Sequence, residues 1–376
     1  MTVLALAHTV YGGAHLFKHD TPQKLGGIAL RVFHKYLSND EEMDTVFGPG
    51  AHTWRADLKQ RLSERPVDDY RIDFEDGFGL RSEQDEHDAA RASGTELAQC
   101  LSMRQSLSLR RVGLRTRGWS HPERLAQTLQ TFTEALGTAD FGNVDFVVTL
   151  PKVSSTAQVA RFADLLTERE YALGWPEGHI GIELLVEHPQ ALKSDELSTW
   201  VHTAGTRLRG LHLGAYDLLA ELGVPHTAAT LAHPYCNAAR TAMRVACVGT
   251  SVDTVDGVTL MVPVEPHRSE ALSNEEKSAN QRAMHDSWSQ HARDITRGIS
   301  LGFYQGWDVH PAQLVSRHGA NLNYFGQAAP EAQKRVDAFQ QQARRARASG
   351  QWFDDEASMR SVELFLSRAA NMKAKA

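Results

Sequence analysis

Cysteine is scarce in this chain of 376 residues. The three present, Cys100, Cys236 and Cys247, show no zinc-type spacing, and their odd number suggests no disulfide framework. No stretch approaches the roughly 18 consecutive apolar residues of a membrane-spanning helix. The apolar start, Met1 to Val10, is short, lacks a basic beginning and contains His8, which argues against a secretion signal. Positive charge is not in excess: 40 Lys and Arg against 46 Asp and Glu leave a net charge of -6, so neither a nucleic-acid surface nor a polybasic membrane anchor is expected. A Walker loop, an internal repeat and a low-complexity tract are also missing. These absences predict a cytoplasmic protein that works on neither nucleic acid nor membrane.

What is present is alternation. With 41% hydrophobic residues the chain can bury a large core. Short β-rich runs recur at 3–11, 69–75, 110–117, 144–152, 180–187, 209–214, 258–264 and 306–310, separated by helix-patterned segments at 83–106, 122–137, 156–173, 189–204, 227–248 and 274–301. Eight strands with helices between them predict an α/β fold, a (β/α)8 TIM barrel. The competing doubly wound sheet wants a glycine-rich phosphate turn after its first strand, and Val10-Tyr-Gly-Gly-Ala-His does not match one. The long connection from Tyr11 to Val67 reads as an inserted excursion after the first strand. A catalytic barrel over residues 1–315 and a C-terminal helical extension over 316–376 complete the expected organisation.

Active sites of such barrels gather where the strands end, and these ends are polar. The second strand closes on Asp73-Phe-Glu75-Asp76-Gly77, the third on Arg115-Thr-Arg117, the fourth on Pro151-Lys152, the fifth on Glu187, the sixth runs through Gly214-Ala215 into Asp217, and the eighth closes on Asp308-Val-His310. Taken singly, each acid is an ordinary helix cap or surface-pair partner, Arg115 and Arg117 are neutralisers of Asp73 and Glu75, and His310 is a satisfied rim histidine. Together they are a costly cluster of charge, which a metal and an anionic substrate would compensate. Two carboxylates, Glu187 and Asp217, are too few for a calcium cage but ordinary for Mg2+, with Mn2+ as the substitute ion. Alternation along the fifth strand turns Glu183 and Glu187 to the same face. Only Glu187 reaches the rim, which leaves Glu183 as a buried partner for an arginine.

These segments, in order from about residue 70 to 315, resemble the HpcH/HpaI aldolase and citrate lyase beta-subunit family of the pyruvate and phosphoenolpyruvate barrels. Asp73-Phe-Glu75-Asp76 is similar to the family's Asp-Leu-Glu-Asp, Leu114-Arg115 to its Val-Arg, and Leu150-Pro-Lys-Val153 to its Pro-Lys-Val turn. Glu187-His-Pro-Gln-Ala is similar to its Glu-Thr-Pro-x-Ala, Gly214-Ala-Tyr-Asp217-Leu to its Gly-x-x-Asp-Leu, and Val309-His310-Pro311-Ala-Gln313 to its Ile-His-Pro-x-Gln. The resemblance implies a Mg2+-dependent carbon–carbon lyase acting on a small 2-oxo or hydroxy acid or its coenzyme A thioester, assembled as a homo-oligomer, a trimer or hexamer. It implies Glu187 and Asp217 as metal ligands, Arg115 as the enolate-stabilising residue, and Glu75 and Asp76 beside the metal's waters. Arg117, Lys152, Gly214, Ala215 and His310 are further substrate contacts. The Arg-Ser and Gly-Lys that thioester users carry are replaced here by Ala7-His-Thr and Gln305-Gly-Trp. The Met-x-Asp of thioester hydrolases is likewise replaced, by Met359-Arg-Ser. His8, His212 and His310 are the candidate bases. Two readings compete with the lyase: a phosphoenolpyruvate-using phosphotransferase with His310 as acceptor, and an inactive barrel kept as an assembly subunit.

Overall fold

Eight short parallel strands close on one another in sequence order in the computed structural model of the chain, which describes residues 6–103, 109–341, 347–349 and 352–373. They are β1 (His8–Gly13), β2 (Asp69–Asp73), β3 (Arg111–Arg115), β4 (Asp145–Leu150), β5 (Gly181–Val186), β6 (Leu208–Leu213), β7 (Asp253–Asp256) and β8 (Gln305–Asp308). β1 pairs with both β2 and β8, so no edge is left open and the expected (β/α)8 barrel is realised. Among the described residues no helix is long and apolar enough to cross a membrane.

Two strand expectations need correction. The first strand begins at His8, and residues 3–5 of the expected run lie outside the described residues. The seventh strand is Asp253–Asp256, not 258–264. The later run is more apolar, but Pro263 lies inside it, and a central barrel strand cannot spare the amide that proline lacks. It forms instead a rim loop in which Leu260 and Met261 are exposed and the Thr259 carbonyl accepts from Gln313.

The excursion consists of two 3-10 turns (Ala14–Leu16 and Ala51–Trp54) and three helices, α1 (Thr21–Tyr36), α2 (Asp40–Phe47) and α3 (Arg55–Glu64). A capping box starts α2: the Asn39 side chain accepts from the Glu42 amide while Glu42 reaches back to Asn39. Between the strands run α4 (Glu83–Ser102), α5 (Pro122–Leu136), α6 (Thr156–Leu173), α7 (Glu196–Ala204), α8 (Ala215–Glu221), α9 (Pro234–Ala246) and α10 (Asn274–Ser300), followed after β8 by α11 (Gln313–Gln341). The excursion packs into this ring: Gln281 on α10 donates to Glu42, and Asn323 on α11 donates to the Phe47 carbonyl. The expected boundary at 315 falls inside α11, whose residues from Gln313 to Leu322 are buried. Past Pro330 that helix leaves the barrel. A small hairpin, β9 (Arg347–Ser349) with β10 (Trp352–Asp354), then leads to α12 (Glu356–Lys373). There Val336, Phe339, Met359 and Val362 bury one another in a separate small core.

The barrel interior is charged. Arg71 and Arg111 point inward and bind Glu183, Asp69, Asp145 and Asp253. Above them lie Tyr11, Leu185, Val255 and Trp307, an aromatic and aliphatic layer that floors the C-terminal mouth.

Candidate active site

Everything above that floor is organised by Arg115, the last residue of β3. Asp73, the last residue of β2, grips it through two parallel bonds, Nε to Oδ1 at 2.7 Å and Nη2 to Oδ2 at 2.6 Å. The same carboxylate accepts the amides of Glu75 and Gly77, so one side chain shapes the turn after β2 and aims the arginine. The guanidinium lies over the Tyr11 and Trp307 rings, 5.2 Å and 5.9 Å from their centroids. Its remaining nitrogen, Nη1, faces Glu75 at 3.0 Å and Asp76 at 3.3 Å.

Glu187, just past the end of β5, is 3% exposed, and its Oε1 accepts the Lys152 backbone amide at 2.5 Å. Gly214, just past β6, makes room for it, because a Cβ there would strike Glu187 Oε2 and Cβ. Burial, then the charges of Asp217 and Glu75, push the Glu187 carboxyl up to about 8. Asp217, in the first turn of α8, is raised by partial desolvation and by Asp76, against the opposing charge of Lys152. Glu75 is raised by burial and by Asp76, with Arg115 opposing. Its two oxygens are ion-paired, Oε2 with Arg115 Nη1 at 3.0 Å and Oε1 with Lys152 Nζ at 2.5 Å. Five carboxyls, Asp73, Glu75, Asp76, Glu187 and Asp217, meet only two cations, Arg115 and Lys152.

This donor set fits a hard divalent cation. No group of three metal-ligating side chains occurs among the described residues, but Mg2+ keeps several waters and needs only one or two protein carboxylates. An excess of carboxyls over cations, and a Glu187 carboxyl destabilised by its acidic neighbours, are what such an ion would relieve.

The remaining expected contacts bond within the protein itself. Arg117 binds Glu86 Oε2 at 2.6 Å, beside Arg124 and Thr128 on α5, so its guanidinium serves helix packing rather than the mouth. The Gly214 amide is spent on the Val186 carbonyl, and Ala215 is buried at the start of α8. His310 Nδ1 accepts from the Ala312 amide and its own amide donates to Gln313. His8 lies buried behind the barrel wall, bridging the Asp68 amide and Asp308. His212 lies beneath the floor: its Nδ1 accepts the Trp307 indole N–H at 3.0 Å, which puts its proton on Nε2, 3.2 Å from Glu183. Sequence reasoning passed over Tyr11 and Trp307, which their alternation with Thr9 and Gln305 along inward-facing strands could have revealed.

The chain is thus a parallel (β/α)8 barrel with an oxygen-only acid cluster and a clamped arginine at its C-terminal mouth. The chain belongs to the family described as a domain of unknown function, DUF6986, which matches residues 5–375. No curated protein matches it. Among solved structures it is similar to a citrate lyase from Burkholderia xenovorans, with TM-score 0.63 and 19% identity over 96% of this chain and 91% of that one. The CitE protein from Mycobacterium tuberculosis, in complex with magnesium, acetoacetate and coenzyme A, gives TM-score 0.56 and 16% identity over 97% and 98%. A Haloferax volcanii malate synthase with magnesium and glyoxylate gives 0.54 and 13% over 97% and 88%. These likenesses bear out, at the level of fold, the family resemblance read from the strand ends.

Proposed function

We propose that this chain is a Mg2+-dependent carbon–carbon lyase that cleaves or forms a small hydroxy acid, or its acyl thioester, through an enolate. The observation that carries the reading is the meeting, at one rim, of acids after neighbouring strands β5 and β6 with an arginine locked from behind by Asp73 and from below by Tyr11 and Trp307. The solved structures of similar fold support the ligand class, because they hold magnesium with acetoacetate and coenzyme A or with glyoxylate.

Glu187 and Asp217 would hold Mg2+ or Mn2+, which supplies Lewis-acid polarisation of a substrate carbonyl. Arg115 would receive the oxygen on which negative charge builds as the carbon–carbon bond breaks. Asp73 already occupies Nε and Nη2, so the guanidinium turns only its Nη1 edge to that oxygen. A charge held in place before the reaction favours the transition state over the ground state. Glu75 and Asp76, which face Arg115 Nη1, would orient the metal's waters.

Calorimetric titration with oxalate, an enolate mimic, tests the reading. Wild type should bind oxalate only with Mg2+ present, and Asp217→Ala should lose that dependence. A substrate panel of 2-oxo acids with aldehydes or thioesters, followed by enolisation of oxaloacetate, then identifies the reaction. Oxalate binding indifferent to both Mg2+ and Asp217 would sink the proposal.

A further inference from the structure

The two cations of the mouth are held very differently. Arg115 is clamped by two bonds and stacked on two rings. Lys152 is held at its backbone amide and by one ion pair. Its side chain is 49% exposed, and its ammonium rests 2.5 Å from Glu75 Oε1. The next carboxylates it faces are Asp76 and Asp217. Its stem lies against Gly118, where a Cβ would crowd the Lys152 chain at 3.3 Å.

The backbone under Lys152 is strained. Its φ is 55°, a left-handed conformation shared among described non-glycine residues only with Ser194. That turn, straight after Pro151, lets one residue touch both ends of the acid cluster. Its amide is on Glu187 and its ammonium on Glu75, both at 2.5 Å. Glycine would adopt this φ without strain, but it would bring no ammonium.

We propose that Lys152 is a built-in counter-ion of the acid cluster: its ammonium neutralises Glu75, Asp76 and Asp217 until a divalent cation enters, and is then displaced toward solvent or toward an anionic substrate. The inference rests on the metal-binding reading of Glu187 and Asp217. It adds that the mouth alternates between a lysine-neutralised and a metal-neutralised form, with the Lys152 amide holding Glu187 in both. Lys152 is thus a positioning residue whose side chain competes with the metal.

Titration of the full chain with Mn2+, read by electron paramagnetic resonance of the free ion, measures this competition without turnover. Lys152→Met should bind Mn2+ roughly tenfold tighter than wild type, the effect of removing one like charge a few ångströms away in a wet cleft. Lys152→Gly, which also relieves the φ, should tighten binding similarly and serves if Lys152→Met folds poorly. In wild type, Mg2+ should increase acylation of Lys152 by an amine-reactive ester, mapped by mass spectrometry. Equal or weaker Mn2+ binding by both variants, or protection of Lys152 by Mg2+, overturns the counter-ion role while leaving the metal site standing. Absence of Mn2+ binding in every variant, wild type included, overturns both readings.

Discussion

Glu183 and Glu187 stand four residues apart in and just after β5 and face the same way, yet their surroundings make them opposites. Glu183 accepts from Arg71 at 2.5 Å and 2.8 Å and from Thr149 at 2.8 Å, with Arg111 and His212 close by. Burial alone would raise its carboxyl, but the charge of Arg71 and the hydrogen bond from His212 hold it well below the usual range. Glu187 is nearly as buried, receives the Lys152 amide, and faces other acids. One carboxylate is saturated and structural; the other is left wanting a cation. The difference lies in depth: below the floor of Tyr11 and Trp307 the arginines outreach solvent, whereas above it the acids outnumber them.

The sharpest way to break this comparison is to remove Glu183. Glu183→Ala strands Arg71 and Arg111 in the barrel interior, and loss of one partner from a buried pair costs about 3–5 kcal/mol. Urea denaturation should show that loss, with or without Mg2+. Glu187→Gln should instead abolish Mg2+ binding and leave the protein folded. Its carboxyl ionises near 4.5 in the unfolded chain and about 8 in the fold, so between those values the folded state holds more protons than the unfolded one. Stability of metal-free wild type should therefore fall as pH rises across that window. Thermal melts from pH 5 to 8 should show the slope in wild type and a flatter profile in Glu187→Gln. Gly214→Ala pushes a methyl group onto the Glu187 carboxylate; calorimetry should show Mg2+ affinity weakened by about tenfold, with circular dichroism unchanged. The smallest effect belongs to Arg117→Ala. Glu86 keeps Arg124 and Thr128, so stability should fall by about 1 kcal/mol and turnover should hold.

Much of this contrast was legible in the sequence, because strand alternation alone put both glutamates on one face and only Glu187 at the rim. The strand ends also announced Arg115 beside Asp73 and Glu75, and that pairing is the one its guanidinium makes. What stayed hidden depends on contacts between distant segments. Arg117 carries the same charge as Arg115 two residues earlier, and only the position of Glu86 on α4 shows that it faces the helices. The acids Asp253 and Asp256 disguised β7, since their partners Arg111 and Arg240 lie on other elements. The positive φ of Lys152 has no marker in a residue type that rarely adopts it.

Barrel closure has a consequence for how the protein is made. His8 and Asp308, hydrogen bonded across the β1–β8 seam, are separated by 300 residues of chain. A nascent polypeptide leaving the ribosome can therefore stack its strands in order, yet it carries an unpaired first edge until the eighth strand emerges. Such a half-built sheet exposes the template that promotes intermolecular pairing. Production of this protein should accordingly depend on chaperone supply and translation speed more than the stability of its finished form would suggest.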